Sequence, residues 1–199
     1  MTADSKKLYG IAFYLAVLTI IASTLEGSFS VYFGYESRSL TLFGNGLASF
    51  IGVISGSGIL VMTFHRRKES SDPSKDFEQI ALRITAIGLY LLAAGLLIVG
   101  ILNILSHQHP TSTRSGIIIA IVTIAMIGAL VFAKMKVAKK LYSSALLADA
   151  KCTRICVYMS TMVLIASVLF ELTKFPYVDS LGAIGVAYFS YSEAKSCSA

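Results

Sequence analysis

The stretch "ALLADAKCTRICVYMSTMVLIASVLFEL", residues 145–172, decides what kind of protein this is. Its charges, Asp149, Lys151 and Arg154, fall in the first two turns, and Glu171 waits at the far end. What lies between is almost wholly apolar and long enough to cross a hydrocarbon core of about 30 Å, which needs roughly 20 helical residues. A helix is the form required, because a lone segment in lipid must satisfy every backbone group within itself.

Outward from this segment the same pattern repeats. Spans are expected at about 8–32, 40–64, 77–105, 116–137, 145–172 and 175–191, the last being the shortest. The composition agrees: 55% of the residues are hydrophobic and 14% charged, against roughly 25% charged in soluble domains. The fold class expected is an all-α integral membrane protein, a six-transmembrane-helix bundle forming one domain over residues 1–199, with no stretch left for a soluble domain. The basic start and first apolar run resemble a cleaved signal, but the run continues to Phe33, which suits a spanning helix better.

Of the seventeen Lys and Arg residues, all but Arg38, Arg114 and Lys174 fall on the side that holds the N-terminus. Both termini are therefore expected in the cytoplasm, with the plasma membrane as the location. The net charge of +6 then faces anionic lipid headgroups. A nucleic-acid partner is excluded for lack of a folded domain to carry it. Three cysteines, Cys152, Cys156 and Cys197, lie on or near the cytoplasmic side and form no disulfide framework.

Ionisable and polar residues inside spans are costly and mark function. Glu26 stands in the first span, Asn45 and Ser49 in the second, Asn103 late in the third, and Asp149, Cys152, Cys156 and Ser160 in the fifth. Glu171 and Asp179 are expected at outer ends, within reach of water. Cys152 and Cys156 are four residues apart and share a helix face. As thiolates they can supply half of a tetrahedral Zn(II) or Cd(II) site, or the pair that Cu(I) needs. The plain alternative is that they are small packing residues. Lys151 and Arg154 lower a nearby thiol pKa but repel an arriving cation. Glu26 either meets a basic group or a cation, or faces a water-filled cavity. Asp149 is expected to cap or gate the cytoplasmic entrance. His107 and His109 read as a solvated loop, and Gly52 with Gly56 as a GxxxG packing face within the fold or across a dimer. "RSLTLFGNGLAS" and "YSSALLADAKCT" share a faint pattern of the kind that transporter repeats show. No catalytic motif is present, so an enzyme is not expected.

"SALLADAKCTRICVYMSTMVLIASVLF" followed by "YVDSLGAIGVAYFSYSEA" resembles the last two spans of the cation diffusion facilitator superfamily. The family reads S-x-A-L-x-A-D-A, then ligands, then an aspartate before a small-residue helix, matched here by Ser144 to Ala150 and by Asp179 to Ala183. "GYESRSLTLFGNG" is similar to the family's join of spans one and two. "DFEQIALRITAIGLYLLAAGLLIVGIL" looks like the third span of a short branch without the cytoplasmic C-terminal domain. The resemblance implies a metal-cation transporter, a zinc-like ion exchanged for protons, a homodimer, and a tetrahedral site between spans two and five. Carried over, the fifth-span ligands fall on Cys152 and Cys156, with Glu26, Asn45, Ser49 and Asp149 as accessory candidates. The second-span ligands fall on Ala48 and Gly52, which bind no metal. A member that has lost transport and serves in sensing or assembly, or a carrier of another solute using Arg154, therefore stays open beside the metal transporter.

Overall fold

The structure is a computed structural model that describes residues 3–68, 74–105, 114–142, 144–175 and 177–198. His107 and His109, expected in a loop, and the side chains of Lys151, Cys152 and Cys197 lie outside the described residues. All six expected helices are present: α1 (Ala3–Glu36), α2 (Leu40–Lys68), α3 (Ser74–Leu105), α4 (Arg114–Leu141), α5 (Ser144–Thr173) and α6 (Val178–Ser198). Five of them, α1 to α5, are long and apolar enough to cross a membrane. The sixth is less apolar because its inward stripe is made of small and polar residues, with Ser180, Ala183, Ala187, Ser190 and Ala194 all buried. Small residues let membrane helices approach closely.

The side-chain pattern of α1 is the inverse of a soluble helix. Ile11, Leu18, Ile21, Leu25, Phe29 and Tyr32 form an exposed apolar stripe, which suits lipid. Ala12, Ala16, Thr19, Ser23, Glu26 and Ser30 form the buried one. Both recur at spacings of three and four, so they occupy opposite faces of one helix. Glycines bring α1 and α2 together: a Cβ on Gly34 would stand 2.6 Å from the backbone nitrogen of Phe43, and one on Gly46 would stand 2.8 Å from that of Val31.

Helices α1, α2, α4 and α5 form a four-helix group, and α3 pairs with α6 along its α2 and α5 side. Ala12, Val137, Ala138 and Leu146 pack together, so the start of α1 and the α4–α5 turn share one end of the bundle. Leu42, Ala120, Val163 and Phe33 pack together at the opposite end, beside the α1–α2 turn. The two short turns thus lie at opposite ends. They share chemistry as well: Arg38 (φ 54°) and Tyr142 (φ 49°) both take the left-handed conformation just past a helix end.

Asp179 departs from expectation. It is buried at 4% exposure rather than open to water. Its carboxylate accepts the Ser39 hydroxyl at 2.6 Å and the Leu40 backbone N–H at 2.6 Å, while the Thr41 hydroxyl donates to its carbonyl at 2.5 Å. Ser39 in turn accepts the Leu42 N–H at 3.3 Å, the usual N-cap bond. One acid therefore closes the start of α2 from the first turn of α6, where both helix dipoles favour negative charge. Glu171 remains partly open and pairs with the exposed Lys174.

Replacing Asp179 with Ala orphans the Leu40 N–H and the Ser39 hydroxyl, at a cost of roughly 2–4 kcal/mol. Thermal unfolding in detergent should show a lowered Tm for Asp179→Ala and a smaller loss for Asp179→Asn, which keeps one acceptor.

Candidate functional site: a polar path through the bundle

Polar side chains line up inside the four-helix group, and their order along α5 gives the path. At one end Lys134 of α4 meets Asp149 of α5, Nζ to Oδ2 at 2.8 Å, with both side chains about 5–6% exposed. Lys134 also donates to the Thr153 hydroxyl at 3.1 Å, and Thr153 donates to the Asp149 carbonyl at 2.8 Å. Expected to cap or gate the entrance, Asp149 turns its carboxylate toward the neighbouring helix, to Lys134. Its sequence position near the start of α5 gives no hint of a partner on α4. Lys134 was absent from the candidates because "FAKMKVAKK" reads as the basic end of a span.

Further along, Glu26 of α1 is 5% exposed. Its Oε1 accepts the Asn45 amide at 3.0 Å and the Ser160 hydroxyl at 3.2 Å. Ser49 and Thr123 adjoin the same carboxyl group, but the Ser49 hydroxyl donates to the Asn45 carbonyl at 3.0 Å. Oε2 consequently has no hydrogen-bond partner among the described residues. Glu26, Asn45 and Ser49, three separate candidates in the sequence, are one cluster drawn from α1 and α2. Thr123 of α4, which nothing in the sequence singles out, belongs to it.

Between the two clusters lies a cavity of about 30 Å³, lined by Ser23, Ala48, Gly52, Cys156, Met159 and Glu193 among others. A single water or bare ion needs roughly 10–15 Å³, so the space is ion-sized. Cys156, half-buried and not in a disulfide, lies on its wall. Gly52 faces it too, since a Cβ there would meet nothing within 4 Å. Both glycines of the GxxxG pair line the cavity, and Gly56 also packs against Ile20 of α1. Among the described residues, no three His, Cys, Asp or Glu side chains gather closely enough to hold a metal.

The patterns of spans two and five correspond here. Asn45 and Ser49 stand to α2 as Asp149 and Thr153 stand to α5, each hydroxyl bonding back to the carbonyl of the polar residue four positions earlier. Asn45 reaches Glu26 on the preceding helix, and Asp149 reaches Lys134 on its own.

Removing one member of a buried ion pair leaves an uncompensated charge, at roughly 3–5 kcal/mol, whereas an apolar pair of similar volume is near neutral. Lys134→Met and Asp149→Leu should each lower the Tm in detergent sharply, and the double variant should recover most of the loss. Additive losses in the double variant would mean that the two side chains act independently.

Comparison with curated proteins gives no match. The cation efflux transmembrane domain matches residues 12–196, which takes in all six helices and the whole polar path. The chain belongs to the cation efflux family, as a multi-pass, all-α membrane protein of the cation-transporter type.

Proposed function

We propose that the protein carries a divalent or soft metal cation across the plasma membrane, with both termini cytoplasmic, in exchange for protons, and that it works as a homodimer. The observation that carries this reading is the shared cavity: Ala48, Gly52 and Cys156 line one ion-sized space. Cys152, one turn before Cys156 on α5, is the second thiol. Thiolates select soft ions, and two of them complete a linear Cu(I) site, whereas Zn(II) and Cd(II) need two further donors. Glu193 and Asp149 on the cavity wall, together with water, can supply oxygen donors. Glu26, with a carboxylate oxygen that no neighbour engages among the described residues, is the accessory ligand or the proton carrier. Asn45 and Ser160 donate to its other oxygen and fix its orientation, and Ser49 bonds to the Asn45 carbonyl.

One observation favours a second reading, a member of the fold that binds or senses without transport. Ala48 and Gly52 leave the α2 wall without a donor, and no three-ligand group occurs among the described residues.

Flux into proteoliposomes under an opposing proton gradient separates the two. Zn(II), Cd(II), Cu(I) and Mn(II) should be supplied in parallel. The transporter reading expects soft-ion flux that falls at least about tenfold in Cys156→Ser and in Cys152→Ser, since each removes half of the thiolate pair. No flux from the unaltered protein, with soft-ion binding retained, would sink transport and leave the sensing reading.

Gly52→Asp supplies a complementary test, because the cavity has room for the new side chain. A carboxylate opposite Cys156 should tighten Zn(II) binding by about tenfold or more. Unchanged affinity would mean that the α2 wall does not meet the cation.

A further inference from the structure

A second, much larger cavity lies away from the polar path. A groove of about 880 Å³ runs between the end of α1, the first half of α2 and the second half of α3. Its walls are apolar, from Phe43 and Leu47 on α2 to Leu91, Leu96 and Val99 on α3. Its mouth is polar, formed by Glu36, Arg38 and Asn103 at the α1–α2 turn. From Asn103 to Leu91 the groove follows twelve residues of α3, about 18 Å at 1.5 Å per residue. Half of a hydrocarbon core is roughly 15 Å, so the groove matches one leaflet in depth, with its charges at headgroup level.

The mouth is built at a cost. The end of α1 is a Schellman motif: the Arg38 N–H donates to the Tyr35 carbonyl at 3.3 Å, and the Ser39 N–H to the Gly34 carbonyl at 2.9 Å. Arg38 takes the left-handed position (φ 54°) that glycine fills without strain. Its exposed side chain and that of Glu36 make no hydrogen bond or ion pair among the described residues. An unpaired guanidinium and an unpaired carboxylate, two residues apart above an apolar trough, call for a ligand that carries both charges and a long apolar tail.

We infer that this groove is a binding site for a zwitterionic aminophospholipid of the phosphatidylethanolamine kind. The phosphate accepts from the Arg38 guanidinium, whose fork suits phosphate geometry. The ammonium donates to Glu36. An acyl chain lies along Phe43, Leu47, Leu91, Leu96 and Val99 and closes the gap between α2 and α3. The site is separate from the cation path, and it does not depend on the transport reading.

Gly95 makes the test clean. It lines the groove, and a Cβ there meets nothing within 4 Å. Gly95→Phe therefore enters the trough from a Cβ position that meets no neighbour. Arg38→Gly removes the guanidinium and relieves the backbone strain, so folding alone predicts an unchanged or raised Tm for the lipid-free protein. Native mass spectrometry of the detergent-purified full chain, titrated with phosphatidylethanolamine and phosphatidylglycerol, reads binding directly. The expected result is one tightly held phosphatidylethanolamine per chain. Its affinity should fall about tenfold or more in Arg38→Gly and in Gly95→Phe, the scale of a lost charged hydrogen bond or a blocked trough. Glu36→Gln should abolish the preference over phosphatidylglycerol. Equal retention of lipid by all three variants would overturn the site. So would full displacement by glycerophosphoethanolamine, which has the headgroup without the chains. Efficient disulfide cross-linking of Gly95→Cys between chains in native membranes would also overturn it, because the groove would then be filled by a second copy.

Discussion

A polar group inside a bilayer has no water to fall back on, and among the described residues the buried acids Asp179, Glu26 and Asp149 are each met by another helix. That requirement shapes the bundle more than apolar burial does. Lipid tails are as apolar as leucine, so helix association rests on close packing and on internal hydrogen bonds. Asp179 joins α6 to the start of α2. Glu26 joins α1 to α2 and α5. Lys134 and Asp149 join α4 to α5. Small residues do the rest: Gly34 and Gly46 let α1 and α2 approach until backbone meets backbone.

These ties are not scattered. Helices α1–α2 and α4–α5 are hairpins with their turns at opposite ends, and each holds a polar pair linking its two helices. Inverted repeats of this kind put related chemistry at the two ends of a transport path, with the ion site between them. In this chain the ion-sized cavity occupies that middle position. Along α5, Asp149 and Ser160 are eleven residues apart, about 16 Å at 1.5 Å per residue. Cys156 stands between them. A cation passing from one end to the other would meet Lys134 and Asp149, then the thiol, then Glu26.

The sequence made the six helices legible because lipid imposes long apolar runs whose limits are marked by charge. It also singled out Cys156, which lines the cavity. Partners were not legible. Glu26 and Asn45 are nineteen residues apart on different helices, as are Lys134 and Thr153, and only the packing angle of two helices sets such a meeting. Asp179 misled for a related reason. At the end of a span an acid reads as solvent-facing, yet here another helix begins against it. Lys134 was hidden by its neighbours: Lys136, Lys139 and Lys140 continue toward the surface, so the innermost lysine passes as one more interfacial charge.

The two hairpins differ in one respect that bears on what moves through them. In α4–α5 the acid has a basic partner, and Lys134 already neutralises Asp149. In α1–α2 the acid has only neutral partners, an amide and a hydroxyl, and one carboxylate oxygen is left without a bond among the described residues. A carboxylate held this way in a low-dielectric interior lacks a positive charge. Under the proposed exchange, a proton and the transported cation would supply that charge in turn, and their alternation at Glu26 would be the coupling. The Lys134–Asp149 pair would then keep the other end of the path neutral, so that neither ion is trapped there.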